Sequence, residues 1–201
     1  KEPPLRTTLG VTQIGLGPLG QMITPYLAER SGIEIVGGAD IDPELAGKDL
    51  GDLCNMGSLN TVITNDLDTA LENAQVAIIT TVSELERLFP LLKQVIPKGI
   101  HVVSTCEELS YPWKTQPDLA QKLDDLARTH GVSVLGTGIN PGFLMDFLPT
   151  ASTAVCREVK TVRIERNQDA SFRRLPFQQK IGAGLTPEAF QERVDQHKIR
   201  H

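Results

Sequence analysis

The sequence predicts an α/β protein in which a doubly wound parallel sheet is followed by the beginning of an α+β second domain. Three observations support this class. Short apolar segments alternate along the chain with longer segments of helical period. The apolar segments are nearly continuous, which is typical of strands buried on both faces of a parallel sheet. After about residue 150 the pattern changes to alternating polar and apolar residues.

The strands are expected where β-branched and other apolar residues form short runs. Right-handed crossovers between such strands generate a doubly wound sheet. The predicted strands are Leu9–Ile14, Ile33–Ala39, Thr61–Thr64, Val76–Thr81, Ile100–Thr105 and Val132–Leu135.

The helices are expected between these strands. The segment Glu84–Ile96 carries apolar residues at helical spacing, and Pro97 ends it. Asn65 or Asp66 is placed to cap the helix that follows the third strand. The predicted helices are Leu19–Arg30, Leu67–Asn73, Glu84–Ile96 and Leu119–His130.

The chain divides into residues 1–150, a complete sheet domain, and residues 151–201, the start of a second domain. Lys160–Arg166 alternates in polarity, which predicts a half-exposed antiparallel strand. Thr186 and Pro187 are typical of the first positions of a helix. Because one strand with one or two helices cannot cover a sheet face, we expect that this second domain is incomplete in the sequence.

Composition restricts the classes of function. With 40% hydrophobic and 22% charged residues, the chain can form a packed core. Its formal net charge of −5 argues against a nucleic-acid partner. No apolar run approaches the roughly 20 residues that cross a bilayer, so no membrane partner is expected. The cysteines are odd in number and form no paired motif, which favours the reducing cytoplasm: Cys54, Cys106 and Cys156.

No metal site is expected, because the histidines lie at element ends or in the tail, without metal-ligand spacing. These residues are His101, His130, His197 and His201.

A glycine motif follows the first strand and opens the first helix. Gly15, Gly17 and Gly20 form a GxGxxG pattern, which in this context is typical of a Rossmann dinucleotide-binding turn. The first glycine permits the turn, the second admits a pyrophosphate, and the third lets helix and strand pack closely. The helix N-terminus supplies free N–H groups for the phosphates. The predicted cofactor-binding residues here are Gly15, Leu16, Gly17, Pro18, Leu19 and Gly20.

Asp40 stands at the end of the second strand, about 20 residues past the turn. A carboxylate there accepts hydrogen bonds from a ribose 2′-OH and repels a 2′-phosphate, so NAD is favoured over NADP. Asp42 is an alternative ribose ligand, and Lys48 could soften the preference for NAD.

Polar loops follow the fourth, fifth and sixth strands, at the edge where ligands bind in doubly wound sheets. Glu107 and Glu108 come directly after the fifth strand, beside the expected nicotinamide, and at least one is predicted to be a catalytic acid or base. Either could instead cap the next segment. Further predicted cofactor contacts in these loops are Thr80, Thr81, Thr105, Cys106, Asn140 and Pro141.

Cys106 allows a different chemistry. A thiolate at this position could serve as the nucleophile of an acylating aldehyde dehydrogenase. No histidine partner is evident in the sequence, since His101 should lie at the opposite end of the strand. A buried structural cysteine is the favoured interpretation.

Three segments resemble those of the 2,4-diaminopentanoate dehydrogenase and native amine dehydrogenase group, which is related to dihydrodipicolinate reductase. They are His101–Trp113, Val134–Asp146 and Ile181–Glu188, and the string Gly-Thr-Gly-Ile-Asn-Pro-Gly-Phe within the second is the most specific. The similarity extends over nearly the whole chain. Dihydrodipicolinate reductases carry two histidines and a lysine where residues 167–179 here carry Arg173 and Arg174, so lysine biosynthesis is not expected.

The resemblance implies reductive amination of a ketone or aldehyde with ammonia, using NADH or NADPH, and the reverse oxidative deamination. It implies that Glu107 or Glu108 is the acid/base group and that Asn140 and Pro141 line the nicotinamide pocket. It also implies a homodimer of the full-length protein, with a small amine or carbonyl compound as substrate. We expect Arg173 and Arg174 either to contact the substrate or cofactor or to lie in a solvated loop. The alternatives are a non-catalytic NAD(P)-binding fragment and a carbonyl or aldehyde dehydrogenase that uses Cys106.

Overall fold

The computed structural model describes residues 8–167, 169–172, 175–196 and 198–199. The chain forms two compact units, Lys1–Glu158 and Val159–His201. Both hydrophobic clusters of buried residues lie in the first unit.

A single parallel sheet forms the centre of the first unit, with the strand order β3-β2-β1-β4-β5-β6. The chain starts in the middle at β1, proceeds outward to β3, and then crosses to β4 on the other side. This reversal between β1 and β4 is the switch point of a doubly wound sheet, and the predicted fold class is confirmed. The strands are β1 (Leu9–Ile14), β2 (Ile33–Ala39), β3 (Ile63–Thr64), β4 (Val76–Ile79), β5 (His101–Ser104) and β6 (Val134–Gly136).

Helices connect these strands, and the four predicted helices are present with bounds within two residues of the prediction. Helix α4 buries one face, formed by Leu85, Leu88, Leu92 and Val95, in the main core. The helices of the first unit are α1 (Pro18–Ala28), α2 (Leu50–Leu53), α3 (Leu67–Leu71), α4 (Leu85–Val95), α5 (Pro112–Thr115), α6 (Pro117–Thr129) and α7 (Leu148–Ser152). In the described part of the chain, no helix has the length and apolar character needed to span a bilayer.

The loop between β2 and β3 contains a short helix, α2, that the sequence did not predict. Asp49 holds this loop together, because its carboxylate accepts hydrogen bonds from the N–H groups of Gly51 and Asp52 at the helix start. The same carboxylate accepts from the N–H groups of Leu59 and Thr61. One side chain therefore joins the start of α2 to the segment that leads into β3.

The second unit contains α8 (Leu175–Lys180) and α9 (Pro187–Asp195). Thr186 caps α9 as predicted, its hydroxyl accepting from the N–H of Ala189 at 3.3 Å. The predicted strand Lys160–Arg166 is wrong, since this exposed segment has no strand pairing. Alternating polarity suits a strand, but a strand needs a neighbour to bond with. The described residues of this unit contain no other strand.

Candidate cofactor site

The glycine turn joins β1 to α1 and has little room for side chains at two of its glycines. Gly15 has a φ of +88°, which favours glycine, and a Cβ there would lie 2.9 Å from the carbonyl oxygen of Thr80. A Cβ on Gly20 would lie 2.0 Å from the carbonyl oxygen of Gly15. At Gly17, by contrast, a Cβ would meet nothing within 4 Å. The turn is therefore closely packed at Gly15 and Gly20 and open at Gly17.

Helix α1 presents its N-terminus at this opening. Pro18 occupies the first position, where its missing N–H has no consequence. The N–H groups of Gly17, Leu19 and Gly20 have no hydrogen-bond partner among the described residues. Free N–H groups and the positive end of the helix dipole favour a negatively charged group at the start of this 11-residue helix.

Leu16 has a role different from the predicted one. Its N–H donates to Oδ2 of Asp40 at 2.5 Å, so this amide points to Asp40 and is not free for a phosphate. Its side chain is buried in the smaller core cluster with Leu50, Cys54 and Ile63. Leu16 thus links the glycine turn to the end of β2.

Asp40 lies at the carboxyl end of β2, where the sequence places it. Its Oδ1 accepts from the N–H of Asp42 at 2.9 Å, so each carboxylate oxygen already has one donor. A carboxylate can accept about four hydrogen bonds, which leaves room for ribose hydroxyls. Asp42 instead accepts from the N–H of Glu44. Lys48 is exposed and does not line the cleft described below.

Two side chains support the turn from β1 and β4. The hydroxyl of Thr80 donates to the carbonyl oxygen of Gly15 at 2.7 Å. Gln13, which is fully buried, donates through Nε2 to the hydroxyl of Thr80 at 2.9 Å and to the carbonyl oxygen of Gly15 at 3.2 Å. Gln13 was not predicted as a site residue, although a polar residue inside an otherwise apolar strand was the available signal.

A cleft of ≈ 680 Å³ opens beside the turn. One wall is the switch point, with Gly15, Gly17, Asp40 and Thr81. A second part of the lining comes from α4, to which no functional role was assigned from the sequence. Periodicity identified only the α4 face that packs on the sheet. The lining residues of α4 are Arg87, Leu88, Pro90, Leu91 and Gln94.

The two glutamates after β5 differ in their surroundings. Glu108 accepts from the N–H of Leu85 at 2.9 Å and from Nε2 of Gln116 at 2.5 Å. It therefore holds the N-terminus of α4 and the segment before α6. Glu107 is exposed and makes no hydrogen bond or ion pair within the described residues. Of the two carboxylates, that of Glu107 is free to reach a ligand.

Cys106 is buried, with 1% of its surface exposed, and its thiol donates to the carbonyl oxygen of Ser83 at 3.1 Å. Burial raises the pKa of this thiol above its ordinary value. A thiolate is therefore disfavoured, and the buried side chain of Cys106 is not accessible to a cofactor. Thr105 is half-buried beside it, and its N–H is bonded to the carbonyl oxygen of Ile79 in β4.

The loop after β6 forms a tight structure around the Asn140–Pro141 peptide bond, which is cis. Gly142 has a φ of +128°, and its N–H donates to Asp146 at 2.7 Å. The loop packs against the turn Glu107–Ser110. The structure thus brings Asn140 and Pro141 to the same sheet edge as Glu107. Arg173 and Arg174 lie outside the described residues.

These features define a Rossmann-type dinucleotide-binding domain: a parallel sheet with a glycine turn at its switch point and an acid after β2. Residues 10–107 match the family described as Dihydrodipicolinate reductase, N-terminus.

The particular relatives agree with the resemblance seen in the sequence. The chain is 33% identical over 187 residues to 2,4-diaminopentanoate dehydrogenase of Acetoanaerobium sticklandii, covering 91% of this chain and 53% of that protein. The structure of amine dehydrogenase from Mycobacterium smegmatis matches with a TM-score of 0.67 and 29% identity, over 74% of this chain and 45% of that one. The resemblance to this dehydrogenase group is confirmed.

A more distant solved structure shows the same fold. GenD2 from gentamicin A biosynthesis, solved in complex with NAD, has a TM-score of 0.56 at 22% identity, over 78% of this chain and 42% of that one. The chain spans about half the length of the curated relative that it matches.

Proposed function

We propose that this chain is the cofactor-binding part of an NAD(P)-dependent dehydrogenase that acts on CH–NH2 groups. The observation that carries the proposal is the convergence at one sheet edge. The free amides of the glycine turn, the exposed carboxylate of Glu107 and the Asn140–Pro141 loop all follow parallel strands at their carboxyl ends. In doubly wound sheets the cofactor and substrate meet at this edge.

The residues fit a dinucleotide in a defined orientation. The amides of Gly17, Leu19 and Gly20 would hold the pyrophosphate, and Asp40 would accept from the ribose hydroxyls. The nicotinamide would then lie towards β5 and β6, near Asn140. When bound, the cofactor supplies or accepts the hydride at the substrate carbon. The carboxylate of Asp40 favours NAD on this proposal.

Glu107 is the proposed acid/base group. In the reductive direction its carboxylate takes a proton from ammonium, and the ammonia that this releases adds to the carbonyl carbon. A proton passes from the added nitrogen to the oxygen and gives a carbinolamine. The protonated carboxyl group then gives its proton to the carbinolamine hydroxyl, which leaves as water, and an iminium ion remains. Glu108 is proposed as a positioning residue, because its carboxylate is already bonded to α4 and to Gln116.

The test supplies full-length protein with NADH and a ketone, with and without ammonia. Oxidation of NADH that requires ammonia supports the proposal. Turnover without ammonia indicates a carbonyl reductase, and binding of NADH without any turnover indicates a non-catalytic module. The acylating aldehyde dehydrogenase is disfavoured by the burial of Cys106.

Two matched variants separate the glutamates. Glu107→Gln should lower kcat/KM at least tenfold, about 1.4 kcal/mol in the barrier, with unchanged NADH affinity. Glu108→Gln should mainly lower the thermal stability of the protein. A large loss of turnover in Glu108→Gln with unchanged stability would reverse the two roles. The homodimer expected from the resemblance stays a prediction, to be checked by light scattering.

A further inference from the structure

In the part of the chain that the structure describes, the cleft beside the glycine turn is lined by one acidic and one basic side chain, Asp40 and Arg87. Asp40 is on the wall formed by the end of β2, and Arg87 is on the wall formed by α4. The remaining lining residues are apolar or uncharged. The charge balance of the cleft therefore depends on this pair.

Arg87 is held only weakly in its present position. Its guanidinium lies 3.4 Å from the carboxylate of Glu84, one turn back on the same chain segment. The side chains are 68% and 43% exposed, and exposed pairs of this kind contribute only about 0–1 kcal/mol. Arg87 can therefore leave Glu84 for a ligand in the cleft at little cost.

A ligand phosphate in the cleft would meet both charges. If Asp40 accepts hydrogen bonds from the ribose hydroxyl groups, a phosphate on the 2′ oxygen lies beside this carboxylate and is repelled by it. The guanidinium is the group that best matches a phosphate, since it can donate two parallel hydrogen bonds. Among the described residues that line the cleft, Arg87 is the cation able to offset this repulsion.

We propose that Arg87 is a cofactor-selectivity residue whose guanidinium binds the 2′-phosphate of NADP, in opposition to Asp40. The protein then uses NADP as well as NAD, and the balance between these two side chains sets the preference. This inference rests on the proposed use of the cleft for a dinucleotide, but not on the amine chemistry.

The experiment measures the dissociation constants of ADP-ribose and 2′-phospho-ADP-ribose by calorimetry with the full-length protein. Arg87→Met should weaken binding of the phosphorylated ligand about tenfold and change ADP-ribose binding less than about twofold. Arg128→Met is the matched control. Arg128 is also exposed and paired with an acid on its own helix, Asp124 at 2.6 Å, but it lies on α6 away from this cleft.

A second variant tests the opposition of charges. Asp40→Asn should strengthen binding of 2′-phospho-ADP-ribose about tenfold, and the double variant with Arg87→Met should lose that gain. Equal weakening of both ligands by Arg87→Met would mean that Arg87 contacts their shared part, and would overturn the proposal. No effect of Arg87→Met, or no binding of either ligand by the unsubstituted protein, would also overturn it. The calorimetry uses no amine or ketone. Its outcome therefore does not depend on whether the protein catalyses the proposed amination.

Discussion

At the scale of single residues, hydrogen bonds to backbone atoms shape the candidate site. Asp40 and Glu108 both look in the sequence like groups for a ligand or for catalysis. In the structure Asp40 also binds the N–H of Leu16, and Glu108 binds the N–H of Leu85. A carboxylate near a sheet edge can therefore order the backbone around it, and its partners decide how much capacity is left for a ligand.

Thr80 offers a test of this support. Thr80→Val removes the hydroxyl that bonds the carbonyl oxygen of Gly15 and leaves Nε2 of Gln13 with fewer acceptors. A lost hydrogen bond of this kind is worth about 1 kcal/mol, so we expect NADH to bind about fivefold more weakly. Fluorescence titration measures the change. Thr129→Val removes a similar bond on α6, to the carbonyl oxygen of Asp125, and should leave NADH affinity unchanged.

At the scale of elements, the contact between α1 and the glycine turn separates stability from binding. Gly20→Ala would place a Cβ 2.0 Å from the carbonyl oxygen of Gly15, so α1 would have to move. We expect a loss of about 2 kcal/mol or more in the free energy of unfolding, measured by urea titration.

Gly17→Ala is the matched substitution, because its Cβ would meet no protein atom within 4 Å. The free energy of unfolding of this variant should stay within about 0.5 kcal/mol of that of the unsubstituted protein. A bound pyrophosphate, however, would meet the new methyl group. The expected outcome is weaker cofactor binding without loss of stability. Equal cofactor affinity in Gly17→Ala would show that the phosphates lie elsewhere.

The loop between β2 and β3 should make stability depend on pH. Hydrogen bonds, first of all from the N–H of Leu59, hold the pKa of Asp49 below its ordinary value of 3.8. A lowered pKa in the folded state stabilises the fold above the unfolded pKa, and this contribution is lost as the pH falls through the folded pKa.

Asp49→Asn should therefore destabilise the protein at pH 7, and the difference from the unsubstituted protein should shrink as the pH falls below about 3.8. Urea midpoints at several pH values measure it. Asp52→Asn, whose carboxylate makes no hydrogen bond within the described residues, is the control. A difference that stays constant down to pH 2 would contradict the role of the Asp49 carboxylate.

At the scale of the whole molecule, the cofactor cleft depends on one of the two compact units. The strands, the glycine turn, α4 and both core clusters all belong to the unit that ends at Glu158. A chain that ends at Glu158 should therefore bind ADP-ribose with a dissociation constant within about twofold of that of the longer chain. If the shorter chain folds but binds more than tenfold more weakly, the second unit takes part in the site.

The sequence by itself determined the sheet class, the bounds of the main elements and the position of the glycine turn. These depend on local properties, namely apolar runs, helical spacing and glycines that adopt backbone conformations closed to other residues. The segment Lys160–Arg166 marks the limit of this reasoning. Its alternation is a local property, but a strand also needs a neighbour.

Only the tertiary structure decided which polar groups are free. It showed that Glu108 is bonded to α4 while Glu107 is not, that Cys106 is buried, and that Arg87 lines the same cleft as Asp40. These relations join residues far apart in the chain. They arise because neighbouring strands of a parallel sheet end at the same edge, whatever the sequence distance between them.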